Sequence, residues 1–218
     1  MQTKAAMHRK DEALLAILEG QPVIPVLKID RLADAVPLAQ ALVRGGLPAI
    51  EITLRTPDAI DAIRLVVEEV PDAIVGAGTI LTSKDFSQAV AAGARFIVSP
   101  GITQELLDAA SMSEVPFLPG AATPSEVMAA REEGYRLLKF FPAEQAGGVP
   151  FLKALASPLA TIRFCPTGGV SPKNVGDYLS LPNVICVGGS WVAPDKEIAA
   201  GNWAEIEDLA RQASTLKS

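Results

Sequence analysis

Histidine is almost missing from this chain. Its 218 residues include one, His8, and only two cysteines, Cys165 and Cys186. A single His cannot build a histidine-rich metal centre, and two thiols are too few for a structural zinc or an iron–sulfur cluster. No such centre is therefore expected, and neither a metal nor a cofactor is assigned. Histidine also carries much acid–base work near neutral pH, so an enzyme of this composition needs another proton carrier. The two cysteines do not make a disulfide framework. They read as buried thiols of a cytoplasmic protein. Basic excess is missing too: 19 Lys and Arg stand against 25 Asp and Glu, a net charge of −6. That argues against a nucleic-acid partner, which needs a basic face, but not against one phosphate held by a few local groups. No apolar run approaches the ~18 residues of a membrane span. Met1–Lys10 is polar, without the apolar core of a signal peptide. It reads as a flexible tail (1–10) ahead of one domain (11–218), with His8 solvated and idle.

What the chain does have is a repeat. Short runs rich in Val, Ile and Phe alternate with Ala/Leu/charged stretches. The candidate strands are Pro22–Ile29, Ala49–Arg55, Ala73–Ile80, Phe96–Gly101, Pro116–Ala121, Leu137–Ala143, Thr161–Gly169 and Val184–Gly189. Their starts lie about 23 residues apart, close to the minimum for a strand plus a crossover helix. The stretches between them carry helical periodicity, as in Asp58–Val70 with Ile60, Ile63, Val66, Val67 and Val70. Helix-start signals stand at Ser83 and at Thr123-Pro124-Ser125-Glu126. The pattern predicts an α/β protein, a single (β/α)8 TIM barrel. An extra N-terminal helix, Asp11–Leu18, would cap its bottom. An open doubly wound sheet is the competing architecture, weakened by the lack of a Gly-x-Gly-x-x-Gly turn after the first strand.

Barrel sites lie at the C-terminal ends of the strands, and alternate strand residues point inward. Inward polar residues in apolar strands are thus the ones to find. Lys139 lies within Leu137-Leu138-Lys139-Phe140-Phe141. If Leu138 and Phe140 face helices, Lys139 and Phe141 face the interior. Burial penalises a charged amine, and a neutral amine attacks carbonyls to form Schiff bases. A purely structural Lys–carboxylate pair is the plainer alternative. Ile50-Glu51-Ile52-Thr53-Leu54-Arg55 alternates strictly, which sets Glu51, Thr53 and Arg55 on one inner face. Buried charges need partners or a ligand, so these residues either organise the core or act on a substrate. Thr167-Gly168-Gly169 and Gly188-Gly189-Ser190 end the last two strands. There, paired glycines and hydroxyls suit an anion, although a simple turn explains a bare Gly-Gly as well. Glu144 is either a rival base or a loop residue. Cys165 and Cys186, with no His to activate them, read as packing.

Taken together, these motifs resemble one family. Glu51-Ile52-Thr53-Leu54-Arg55-Thr56, Gly76-Ala77-Gly78-Thr79, Ser99-Pro100-Gly101, Lys139-Phe140-Phe141-Pro142-Ala143-Glu144, Arg163-Phe164-Cys165-Pro166-Thr167-Gly168-Gly169 and Gly188-Gly189-Ser190-Trp191 occur in order along the chain. The set resembles the class I aldolases that cleave 2-keto-3-deoxy-6-phosphogluconate (KDPG) and 4-hydroxy-2-oxoglutarate. The resemblance implies a metal-independent homotrimer of (β/α)8 barrels acting on pyruvate and a phosphorylated 2-keto-3-deoxy sugar acid. It implies Lys139 as the Schiff-base lysine and Glu51 as the acid–base. Arg55 and Thr79 would hold the pyruvate carboxylate. Ser99, Pro100, Phe141, Thr167, Gly168, Gly169, Gly189 and Ser190 would line the rest, phosphate included. An aldolase preferring the galactonate epimer and a phosphate-binding barrel isomerase are the alternatives.

Overall fold

The computed structural model describes the backbone of residues 4–216 and the side chains from Arg9 onward. The exposure expected of His8 lies outside the described residues. Strands and helices alternate. The strands are β1 (Val23–Leu27), β2 (Ala49–Thr53), β3 (Ile74–Gly78), β4 (Phe96–Val98), β5 (Phe117–Leu118), β6 (Gly120–Ala121), β7 (Leu137–Phe140), β8 (Arg163–Pro166) and β9 (Val187–Gly189). The helices are α1 (Lys4–Glu19), α2 (Ala35–Arg44), α3 (Ala59–Glu69), α4 (Ser83–Ala91), α5 (Gln104–Ser111), α6 (Pro124–Glu132), α7 (Gly148–Leu155), α8 (Val175–Leu179), α9 (Asp195–Ala199) and α10 (Trp203–Ser214).

The result is an α/β fold around a curled parallel sheet. Strands pair in the order β5-β4-β3-β2-β1-β9 and, in a second ladder, β6-β7-β8. Only Pro119 separates β5 from β6. Proline has no N–H to give a ladder, which splits the expected fifth strand, but its carbonyl still accepts from Lys139 N–H at 2.9 Å. Single parallel bridges, Phe164 to Val184 and Thr167 to Gly188, join β8 to the segment that holds β9.

Other expectations change as well. The supposed tail is helical from Lys4, because Lys4-Ala5-Ala6-Met7 are strong helix formers continuous with Asp11–Leu18. The seventh strand stops at Pro166, short of the expected Gly169, since Gly168 and Gly169 turn with φ of 101° and 80°. The cap of α4 is Thr82 rather than Ser83: its side chain accepts from Asp85 N–H while Asp85 bonds back. Thr123 and Glu126 form the same box at α6, as the sequence signal implied.

Strand alternation sorts the apolar residues into two cores. Ile50, Ile52, Leu138 and Phe140 lie in the larger one, between sheet and helices. The smaller one fills the N-terminal end of the inner face with Ile24, Ala49, Phe96, Leu137, Cys165 and Cys186. Leu14 and Leu18 of α1 belong to it. One inward position further along three of these strands, Ala49 gives way to Glu51, Leu137 to Lys139 and Cys165 to Thr167.

Candidate active site

Lys139 and Glu51 sit in this second tier, and both are buried. Lys139 Nζ lies 3.1 Å from Glu51 Oε1 and 3.5 Å from Oε2. Their strands, β7 and β2, are not neighbours in either ladder, so the contact runs across the interior. Glycine makes room for it. A Cβ on Gly78 would fall 2.0 Å from Glu51 Oε1, which no side chain larger than hydrogen permits. The Phe141 ring adds a cation–π contact, with Nζ 5.6 Å from its centroid.

The neighbouring inward residues build the approach. Thr53 donates its Oγ1–H to the Leu27 carbonyl at 2.7 Å and accepts from Arg55 Nε at 2.8 Å. That fixes the root of a guanidinium that is otherwise exposed. Arg55, Ser190, Trp191, Val26 and Lys28 line one cavity of about 320 Å³ at the C-terminal ends of the strands. Thr79, just past Gly78, has φ of 58° and is the one non-glycine residue with positive φ among the described residues. For a β-branched residue this is a true outlier, and such strain clusters at functional sites. Buried Ser99 donates to the Gly101 carbonyl at 2.5 Å. Its neighbour Pro100 packs on Gly120, where a Cβ would lie 2.3 Å from the Pro100 carbonyl carbon.

Thr167 and Gly188 touch closely across their bridge: a Cβ on Gly188 would come 2.2 Å from Thr167 Oγ1. Gly168 and Gly169 follow with positive φ, a backbone that glycine adopts without steric cost. Gly189 is buried beneath Trp191, while Ser190 is exposed at the rim.

Glu144 is not part of the lysine's surroundings; its carboxylate accepts from Tyr178. Two neighbours of the site carry no distinct signal in the sequence. Gly78 faces Glu51 through strand register. Lys28 follows Val26 two residues on, just past β1, and its charge stands alone in that run.

Chemically, an amine and a carboxylate shielded from water can attack a carbonyl and pass the protons that such an attack releases. Cationic Arg55 and the hydroxyls at the mouth suit an anionic carbonyl compound. Residues 14–209 match the family model of KDPG and KHG aldolases. The chain belongs to that family. It is 53% identical over 207 residues to the 2-dehydro-3-deoxy-phosphogluconate aldolase of Pseudomonas aeruginosa, covering 95% of this chain and 94% of the relative. It is 50% identical over 198 residues to the KHG/KDPG aldolase of Escherichia coli K12, covering 91% and 93%. The KDPG aldolase crystal structure from Legionella pneumophila superposes with a TM-score of 0.91 at 50% identity, over 92% of this chain and 98% of that one. That protein holds pyruvate as a covalent carbinolamine intermediate captured at low pH. The chain is thus an aldolase of the lyase class that works through a Schiff base.

Among the described residues no group of three or more His, Cys, Asp or Glu is placed to hold a metal ion. No described helix is long and apolar enough to cross a membrane.

Proposed function

We propose that this enzyme cleaves KDPG to pyruvate and glyceraldehyde 3-phosphate, with Lys139 as the imine-forming amine and Glu51 as the proton carrier. The observation that carries the reading is the buried Lys139–Glu51 contact, an amine and a carboxylate 3.1 Å apart and drawn from facing strands. Lys139 attacks the C2 ketone, and the carbinolamine loses water to give an iminium. The iminium draws in the electron pair of the C3–C4 bond. Glu51, through a water, takes the C4 hydroxyl proton as that bond breaks. Glyceraldehyde 3-phosphate leaves, the enamine regains a proton at C3, and hydrolysis frees pyruvate and Lys139. One carboxylate serves every step because it returns each proton that it takes.

Arg55 offers a two-pronged fork to the keto-acid carboxylate, with the Thr79 hydroxyl beside it. Ser99, Pro100 and Phe141 flank the carbon chain. Thr167, Gly168, Gly169, Gly189 and Ser190 take its far end and the phosphate. 4-Hydroxy-2-oxoglutarate, split to pyruvate and glyoxylate, fits the same chemistry. Closure of the two ladders into one (β/α)8 barrel, a single domain over 11–218 capped below by α1, belongs to this reading. The bridges to Val184 and Gly188 and the Lys139–Pro119 hydrogen bond support it. A cytoplasmic homotrimer that needs no metal is the form that goes with it.

Borohydride added with pyruvate tests the assignment. It should reduce the imine and leave a stable adduct on the peptide that contains Lys139. A label elsewhere, or none, refutes the role given to Lys139.

A further inference from the structure

Glu144 and Tyr178 form a pair that no step above uses. Tyr178, on α8, is fully buried, and its O–H donates to Glu144 Oε1. Burial first, and then this bond to a carboxylate, push the phenol above its ordinary pKa, so it stays a donor at working pH. Glu144 stands on the turn after β7 and is bound to the glycine loop. Its N–H donates to the Gly168 carbonyl at 3.1 Å, and the N–H of Ala143 donates to the Thr167 carbonyl at 2.8 Å. Its side chain lies against the same loop: a Cβ on Gly169 would meet Glu144 Cγ at 2.5 Å. From the far side, Asn174 Nδ2 donates to the Gly169 carbonyl at 3.2 Å, while Asn174 Oδ1 accepts from Ser171 N–H at 2.8 Å. Gly148 leaves space for the pair, since a Cβ there would stand 3.2 Å from Tyr178 Oη and 3.3 Å from Glu144 Oε1.

Two consecutive glycines are the loosest backbone a chain can offer. A loop that must present its N–H groups to an anion loses affinity if it has to be ordered at the moment of binding. Here the ordering is built in beforehand. Glu144 lies across Gly168 and Gly169, and Tyr178 anchors Glu144 to the buried side of α8.

We propose that Glu144 and Tyr178 are positioning residues that brace the Gly168–Gly169 loop for the phosphate end of the substrate. Neither touches the reacting carbons. The proposal rests on the reading that this loop takes the phosphate. Its signature is therefore selective: losing the brace weakens use of the phosphorylated substrate and spares its unphosphorylated counterpart.

Steady-state cleavage of KDPG and of unphosphorylated 2-keto-3-deoxygluconate tests this with three variants. Tyr178→Phe and Glu144→Ala should raise KM for KDPG roughly tenfold, about the loss of one well-placed hydrogen bond. Their kcat, and both constants for the unphosphorylated substrate, should stay within about twofold. Glu144→Gln keeps an acceptor for Tyr178 and should behave as wild type. Melting curves check folding; Glu144 is exposed, so its substitution opens no core if Tyr178→Phe fails to fold. Equal losses on both substrates, or a Glu144→Gln variant as poor as Glu144→Ala, overturn the proposal. So does an unchanged KM for KDPG in a wild type that prefers KDPG, and in that case the phosphate reading stands. A wild type that treats both substrates alike and is not inhibited by inorganic phosphate removes the phosphate reading and the proposal with it.

Discussion

The two ends of the inner sheet face are built from the same strands and have opposite character. At the N-terminal end, Ile24, Ala49, Phe96, Leu137, Cys165 and Cys186 pack with Leu14 and Leu18 into a closed apolar cluster. A buried polar side chain at this end, Gln21, is engaged by backbone. Gln21 donates to the carbonyls of Val23 and Ala49 and accepts from Ala49 N–H. At the C-terminal end, Lys139 and Glu51 bond to each other, and Arg55 and Ser190 line a cavity with Val26 and Lys28. The lower polar group is bonded to backbone; the upper ones, Lys139 and Glu51, are bonded to each other. A step of two residues along a strand separates stability from chemistry. This segregation lets one architecture keep its core while its reactive end is specialised.

The comparison breaks most sharply if the upper end is made to resemble the lower. Lys139→Met with Glu51→Leu replaces the buried ion pair by apolar groups of similar size. Activity should vanish, a loss of at least about 10⁴-fold. Stability should hold or rise, because apolar replacement of a buried pair is neutral or stabilising by roughly 1–4 kcal/mol. A thermal melt well below wild type would mean that the pair belongs to the fold as much as Gln21 does. Next in size, Glu51→Gln keeps shape and removes the proposed proton carrier. Turnover should fall about 10²–10⁴-fold, while borohydride trapping of pyruvate on Lys139 persists slowly. Near-normal turnover would remove Glu51 from the mechanism.

Gly78→Ala is subtler. Its methyl would fall 2.0 Å from Glu51 Oε1, so the carboxylate must move. A displacement of about 1 Å at a reacting group costs on the order of 10²-fold, and kcat should drop by roughly that factor. An unchanged kcat would show that Glu51 tolerates displacement, contrary to a site organised around its position.

The strands from Ala49 to Arg55 and from Leu137 to Phe141 were readable because side chains alternate with period two. Apolar neighbours on both sides of Glu51 and Lys139 left only one face for the charges. Cys165 and Cys186, without a His to activate them, are buried in the inner cluster. There, the Cys165 hydrogen bond and then burial push the Cys186 thiol well above its ordinary pKa, as suits packing rather than nucleophilic chemistry. Illegible were features fixed by register and long-range packing. Gly78 meets Glu51 because Thr53 pairs with Gly78 across β2 and β3, and no local pattern encodes that. Tyr178 meets Glu144 because α8 lies against the turn after β7. Pro119 was visible, but its effect on the ladder depends on which neighbour it faces. The early start of α1 was hidden by charge: Lys4–Lys10 looks like a polar tail, although its residues favour helix.

The smallest expected effect on catalysis comes from the lower end. Leu18 on α1 is 1% exposed and belongs to the inner cluster at the N-terminal end of the strands. Leu18→Ala removes buried methyl groups and leaves a cavity that α1 can only partly collapse into. Such truncations cost about 2–5 kcal/mol, which for a chain of this size lowers the melting temperature by roughly 5–15 °C. At 25 °C the folded fraction should still carry wild-type kcat and KM, because Ala49 and Leu137 remain beneath Glu51 and Lys139. A fall in kcat with KM unchanged, at a temperature where circular dichroism shows full folding, would mean that the two tiers are mechanically coupled. The separation drawn along the strands would then hold for composition but not for function.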